Sequence, residues 1–484
     1  GNQAATLRLM EAAAARRLAA LRADGEVGAA AAAAEAMRPG AGAARAVRLT
    51  DALTSQIAQE LIRARDEAAV WLQTGVQVHT RPGSAGTSRL TTLTAPTEVS
   101  APLPGVGGRL TLGADMVALR SGTLGSGFRE QQSFGTNPLF LQPNFVAPAF
   151  NRPQGNMDGV ALRMTWLREN MRAEIGSTPL GFHRPTFTGM LEVVPRITEG
   201  LRLRLTAERT PETSSMLSYA GYTQSSGTGP FWGAVTRTGG RVTLEYSTSD
   251  RLGFYGGGAA HALRGTNVVD NTRWEVFGGV YYAVMRQPGQ QVTVGVDLRH
   301  TGHSRNAGGF TFGHGGYFSP ARSFVGSLQG EYRAQWGDWT FRGIGAVGWQ
   351  SFRTALAPVF PTNRGYQAAL EAQAAASPGV FDKHIGGQRS SGPTGSIFAN
   401  LEYAMTPNLR LGAAARYERV GNFSDTAGFF YLRYRLDRPR ADLEPLFAGA
   451  PTVYPNVNDP MVSSYRAGAP ELVRMPSGAA RPVW

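Results

Sequence analysis

The sequence predicts a mainly β protein: a transmembrane antiparallel barrel of about sixteen strands, preceded by a short helical segment and followed by a proline-rich tail. Three observations carry that expectation. Apolar and polar residues alternate with period two over about 370 residues, from near residue 67 to 437. The alternating segments run to about ten residues, the length of a membrane strand rather than the five or six of a soluble sheet. The connections between them sort strictly into short and long kinds, as in barrels with tight periplasmic turns and extended outer loops.

The first stretch, residues 1–66, reads as helix. Leu7, Met10, Ala14, Leu18 and Leu21 recur at helical spacing, and Asp24-Gly25 ends that segment. A second helix spans 26–37 and stops at Pro39-Gly40, and a third spans about 44–68 with Leu53, Ile57, Leu61 and Ala64 on one face. Two short antiparallel helices with a glycine between them and a proline after the second resemble one tetratricopeptide repeat. One such repeat cannot bury a core alone, so the chain reads as the carboxyl-terminal part of a longer protein. Its amino-terminal residues form an amphipathic, arginine-bearing helix pattern rather than a signal peptide.

The strands come next. In 201–208, Leu201, Leu203, Leu205 and Ala207 oppose Arg202, Arg204, Thr206 and Glu208; in 292–299, Val292, Val294, Val296 and Leu298 oppose Thr293, Gly295, Asp297 and Arg299. Candidate strands lie near 71–80, 95–103, 109–119, 159–168, 172–181, 188–196, 201–209, 236–247, 252–263, 272–286, 290–300, 321–336, 339–352, 394–405, 409–419 and 426–436. Trp166, Trp274, Trp336, Trp339 and Trp349 sit near segment ends, where an interfacial girdle wants them. Short turns such as Gln287-Pro288-Gly289 and Gly337-Asp338 alternate with long links such as 120–158, 210–235, 301–320 and 353–393. A soluble sandwich has no reason to sort its loops by end. The tail, 438–484, is rich in proline and has no periodicity, so it is read as extended chain, with dangling in the periplasm and threading back into the barrel both open to it.

Composition agrees. Charged residues make up 17 % of the chain, below the roughly 25 % usual for soluble domains. No apolar run approaches the roughly 18 residues a spanning helix needs. The formal charge is +13, and every basic residue but Lys383 is arginine. These arginines are scattered along the chain, without a basic tract or basic helix, which argues against nucleic acid. Cysteine is absent, which removes disulfides, thiol catalysis and cysteine-based zinc sites.

Chemistry is sparse. His300, His303 and His314 are near one another in sequence but have no carboxylate pair at ligand spacing, so no metal or other cofactor is expected. Neither a nucleophile elbow nor a phosphate-binding loop is present, and no enzymatic activity is expected. Glycine runs such as Gly256-Gly257-Gly258 fall inside strands, where they permit close packing.

The polar face is more informative. It carries Asp115, Arg163, Arg202, Arg204, Glu208, Glu245, Glu275, Asp297, Arg299, Glu331, Arg333, Arg342, Glu402, Arg410, Arg416 and Glu418. Among them lie Phe277, Tyr281, Phe398, Phe429 and Tyr431. Charges of both signs can brace a barrel wall by pairing across strands. Rings among them suit a sliding carbohydrate, whose C–H faces stack on aromatics while its hydroxyls bond to charged groups, with many weak contacts and no deep trap. The two readings stand side by side at this point.

The chain also resembles the carboxyl-terminal half of the cellulose synthase operon protein C family. The resemblance rests on Gln56-Ile57-Ala58-Gln59-Glu60-Leu61, residues 75–83, Thr87-Ser88-Arg89-Leu90, Ala95-Pro96-Thr97-Glu98-Val99 and Arg109-Leu110-Thr111-Leu112. It continues in Phe134-Gly135-Thr136-Asn137-Pro138-Leu139, Thr178-Pro179-Leu180-Gly181-Phe182 and His314-Gly315-Gly316-Tyr317-Phe318-Ser319-Pro320. It implies a sixteen-stranded outer-membrane pore behind a periplasmic repeat array, serving an inner-membrane synthase of β-1,4-glucan. It also implies loops that close the outer mouth and a carboxyl-terminal extension that carries Trp484 toward the exit. The expected partners are therefore cellulose or a related polysaccharide, the synthase complex, and outer-membrane lipid and lipopolysaccharide, with the protein a monomer and its termini periplasmic. An anionic polymer such as alginate, or an adhesive barrel, are the alternatives.

Overall fold

A computed structural model describes residues 3–37, 51–103, 106–141, 155–168, 170–224, 229–248, 251–287, 289–406, 408–420 and 423–436. The tail 438–484 with Trp484, the interhelical segment 38–50 and part of the loop 120–158 lie outside the described residues.

Helix α1 (Gln3–Ala23) turns back into α2 (Val27–Met37) through Gly25, whose φ of 78° only glycine adopts freely. Helix α3 (Ala52–Glu67) packs across both, and Leu7, Ala14, Met37, Ala58, Leu61 and Ala64 form their shared core. Leu53, expected on that face, is exposed instead. Asp51 precedes α3 and accepts hydrogen bonds from the backbone N–H of Leu53 (3.2 Å) and Thr54 (3.0 Å), which satisfies orphan donors of the first turn. The Thr54 hydroxyl and the Arg17 guanidinium (2.6 Å) hold its carboxyl down at about 2.

From Ala69 the chain enters sixteen antiparallel strands. These are β1 (Trp71–Arg81), β2 (Leu90–Pro102), β3 (Arg109–Arg120), β4 (Asn156–Arg168), β5 (Met171–Ser177), β6 (Phe187–Val193), β7 (Leu201–Pro211) and β8 (Phe231–Ser247). They continue as β9 (Leu252–Thr266), β10 (Asn271–Gln287), β11 (Gln290–His303), β12 (Arg322–Trp336), β13 (Trp339–Arg353), β14 (Arg389–Ala404), β15 (Leu409–Val420) and β16 (Phe423–Arg435). Each pairs with the next, and β16 pairs with β1 from Trp71↔Arg435 to Thr80↔Thr426, so the sheet closes and leaves no edge. Several strands outrun their sequence limits on the long-loop side. β8 starts at 231 rather than 236 and β14 at 389 rather than 394, because hairpins at that end continue their ladders above the apolar band.

Alternation places Val76, Val78, Leu112, Met116, Leu298, Leu328, Val347 and Phe430 outward and exposed. An exposed apolar band of this extent is stable only against lipid. Trp336, Trp339 and Trp349 are outward as well, at or near strand ends. Most inward positions are polar or small, with rings such as Phe277, Tyr281, Phe429 and Tyr431 among them, and sixteen strands enclose more space than side chains alone fill.

Candidate functional site

The lumen wall is a set of ion pairs made across strands. Arg163 reaches Glu98 at 3.1 Å and Asp115 at 3.9 Å. Arg204 joins Glu192 and Glu245, both at 2.9 Å, and Glu208 joins Arg237 (2.9 Å) and His261 (3.1 Å). Glu275 collects Arg273 (2.7 Å), Arg241 (2.9 Å) and Arg299 (3.7 Å), and Arg299 also lies 3.9 Å from Asp297. Glu331 holds Arg333 (2.5 Å) and Arg342 (2.8 Å). Glu402 meets Arg410 (3.1 Å) and Arg433 (3.5 Å), and Arg416 bridges Glu418 (3.3 Å) and Asp425 (3.0 Å). In a confined pore a lone charge costs several kcal/mol, and each carboxylate here is set among the guanidinium groups that offset it.

The aromatics named from the sequence have particular seats. Tyr281 stands opposite Gly253 and Phe277 opposite Gly257 in the β9–β10 ladder; Tyr431 stands opposite both Gly75 and Gly412. The rings lie across those glycines. A Cβ added at Gly253, Gly257 or Gly412 would run into the facing ring, and one at Gly75 would run into Phe429. Glycine thus opens a flat seat in the wall and an aromatic from the next strand covers it.

The other faces are also occupied. Arg241 lies 4.8 Å and Arg299 5.9 Å over Phe277. Phe429 and Tyr431 stack at 5.1 Å with 18° between planes, and the Tyr431 hydroxyl donates to Glu402 at 3.0 Å. Phe277, Tyr281, Phe429 and Tyr431 are exposed by only 4, 8, 5 and 2 %, so in this conformation none offers a ring face to a passing molecule. Phe398, packed beside Phe429 and Tyr431, is half-buried. Among the charged residues named from sequence, Glu275, Asp297, Arg299, Glu331, Arg333, Glu402, Arg416 and Glu418 are all buried in the ion-pair layer.

A second feature sits at the long-loop end. The described parts of loops 121–155, 212–230, 304–321 and 354–388 fold together, with Trp232 at the start of β8, around one apolar core that also contains Phe134, Tyr222, Phe312, Phe360 and Leu370. Leu90, Val117, Leu119 and Met157, inward residues at the ends of β2, β3 and β4, belong to the same core, so the loop cluster is seated inside the mouth. Phe134 meets Tyr222 at 5.2 Å and Trp232 at 5.4 Å, edge to face.

Loop 304–321 is the hub of this cap. Phe310–Thr311 pairs with Phe134–Gly135, Thr311 Oγ1 donates to the Val359 carbonyl (2.6 Å), and Asn306 donates to Ala355 (2.8 Å). Among the described residues the three histidines considered above go separate ways. His300 lies against the ring of Trp274 (4.9 Å), His303 contacts the Pro320 carbonyl (3.1 Å) and His314 Nε2 the Pro358 carbonyl (2.9 Å).

Sequence reasoning missed His79, Arg81 and Asp425, which form one cluster with Arg416 across the β16–β1 seam. Their inward phase was visible, but nothing local tells that residues 79 and 425 are neighbours. The helix Arg364–Ala376 in the cap was likewise passed over as loop, although Asn363 is a standard N-cap and accepts from the Tyr366 N–H at 3.0 Å.

Comparison with known proteins bears on this geometry. Residues 88–437 match the model of the cellulose synthase operon protein C carboxyl-terminus. The chain is 34 % identical over 384 residues to the cellulose synthase 2 operon protein C of Komagataeibacter xylinus, covering 78 % of this chain and 28 % of that protein. It is 33 % identical over 297 residues to the cellulose synthase operon protein C of Xanthomonas axonopodis pv. citri (strain 306), covering 59 % and 19 % respectively. The chain therefore spans less than a third of the length of these relatives. A solved structure titled bacterial polysaccharide outer membrane secretin is similar with a TM-score of 0.45 and 10 % identity, over 77 % of this chain and 99 % of that one. With a family match running from the end of the first barrel hairpin loop to the last strand, the chain belongs to the cellulose synthase operon protein C family, of which it carries the carboxyl-terminal barrel.

Proposed function

We propose that this barrel is a non-catalytic outer-membrane passage for cellulose, the β-1,4-glucan made by an inner-membrane synthase. The observation that carries the reading is a charge-compensated wall behind a removable stopper. The lumen carboxylates sit within reach of arginine or histidine, while an apolar cap built mainly from the long loops is seated in the mouth. A wall whose carboxylates are each set against guanidinium or imidazole groups offers hydrogen-bonding partners to hydroxyl groups along its length. That suits a hydroxyl-rich polymer such as cellulose.

In the closed conformation, half-buried groups such as Phe398 and Arg342 form the accessible part of the track, and the buried rings Phe277, Tyr281, Phe429 and Tyr431 hold the wall in shape. The tail 438–484 with Trp484, the upstream repeats and their contacts with the synthase complete the proposed apparatus, with both chain ends periplasmic. Deleting the barrel in its host should abolish cellulase-sensitive polymer outside the cell while synthase activity in membranes persists. Polymer that still reaches the medium would sink the export reading. Phe398→Ala should lower extracellular glucan by roughly two- to tenfold, the worth of a stacking contact of about 0.5–1.5 kcal/mol, without changing the amount of folded barrel.

A further inference from the structure

At the long-loop end of three consecutive strands, the outward face carries three arginines in one row. Arg322 opens β12, Arg353 closes β13 and Arg389 opens β14; the ladders set Arg322 opposite Arg353 and Arg353 opposite Arg389. All three are exposed. Side chains directly opposite one another start about 5 Å apart, and like charges so placed destabilise the pair. Among the described residues no carboxylate pairs with any of the three. Elsewhere the protein handles the problem differently. Arg120, outward at the same end of β3, is paired with Asp158 at 2.6 Å. The row on β12–β14 therefore calls for an anion from outside the chain.

Its height identifies that anion. Trp339 and Trp349 both face outward on β13, ten positions apart. Along a strand tilted by about 40°, that spacing spans roughly 25 Å of height, the depth of the apolar band. Arg353 lies four residues beyond Trp349, which puts the row about 10 Å above that band, level with lipid headgroups rather than acyl chains. Phe324, two residues below Arg322, and Trp349 present exposed apolar surface just beneath it.

We propose that Arg322, Arg353 and Arg389 form a binding site for the phosphorylated disaccharide of lipid A, the membrane anchor of lipopolysaccharide. Each guanidinium can offer a two-pronged donor fork to a phosphate oxygen pair, and the anion relieves the repulsion along the row. The acyl chains then run down over Phe324 and Trp349. The site is on the opposite side of the sheet from the lumen, so it does not depend on the cargo; it rests on the long-loop end facing outward.

The test uses the intact protein purified from outer membranes in mild detergent, with bound lipid weighed by native mass spectrometry. The probes are diphosphoryl lipid A, dephosphorylated lipid A, phosphatidylglycerol and inorganic phosphate. The wild-type protein should retain diphosphoryl lipid A, and the triple variant Arg322→Ser, Arg353→Ser, Arg389→Ser should bind it about tenfold more weakly or worse. Arg120→Ser should bind like the wild type, and heat-modifiable electrophoretic mobility should show all barrels equally folded. Equal retention by wild type and triple variant would overturn the site. So would equal retention of dephosphorylated lipid A, which would leave only acyl contacts, or competition by inorganic phosphate at the same concentration. Preference for phosphatidylglycerol would overturn the outward orientation instead, and the cellulose assay above is untouched by every one of these outcomes.

Discussion

Glu275 stands among Arg241, Arg273 and Arg299 on the wall of β8, β10 and β11, and the same Arg241 and Arg299 cover the ring of Phe277. One carboxylate thus fixes the position of an aromatic as well as its own charge partners. Removing it leaves three guanidinium groups close together with their main counter-charge gone. Glu275→Ala should destabilise the folded barrel by about 3 kcal/mol or more, and Glu275→Gln by less, because it keeps the packing and one acceptor. Reversible urea unfolding in detergent or bilayer checks this, and equal stability of all three proteins would show that the cluster contributes nothing. The aromatic–glycine seats act at the same scale. Phe277 on Gly257 and Tyr431 on Gly412 fill gaps in the wall instead of presenting a track. The sequence shows both members of each pair, but not that they face each other.

At the scale of elements, the cap behaves as a small globular core made of loops. Phe134 and Phe312 come from two different connections and Trp232 from the start of β8, so truncating one loosens contacts among all. Trp232→Ala should cost about 3–5 kcal/mol of cap packing. The expected readout is higher single-channel conductance and greater uptake of bulky antibiotics; unchanged conductance would mean that the lumen is blocked elsewhere. The cap also carries a buried histidine. Burial pushes His314 down to about 4 from an ordinary 6.5, because the imidazolium would lose its hydration. A base with a depressed pKa takes up a proton more readily when its surroundings open. Its contribution to closure is therefore complete above about pH 6.5 and is lost progressively as pH falls toward 4. The protection of the amides in 304–321, measured against intrinsic exchange at each pH, should fall from pH 7 to pH 5, and His314→Gln, which keeps a donor for the Pro358 carbonyl, should flatten that change.

For the whole molecule, the barrel and its loop sorting were legible because both are written in local sequence. A period of two, ten-residue segments and turn residues at alternate ends need no knowledge of distant neighbours. The resemblance supplied the expectation of loops that close one mouth, and the described parts of four long loops do meet at the long-loop end. The candidate track was legible only as a face. Phase along each strand named Glu402, Arg416, Phe429 and Tyr431 as inward, yet could not say that Arg416 turns to Asp425 or that Tyr431 donates to Glu402.

What the sequence alone determined is the set of strands, the side on which each residue lies, and the family, since backbone sterics and burial fix those segment by segment. What only the tertiary structure decided is which inward groups meet. His79 and Asp425 are separated by almost the whole barrel in sequence and lie 2.7 Å apart across its closing seam. The row Arg322, Arg353 and Arg389 likewise exists only once three ladders are in register. Register and closure are cooperative properties of the complete sheet, because a one-residue slip in any strand would turn its inward side chains to the lipid and its apolar ones to the pore.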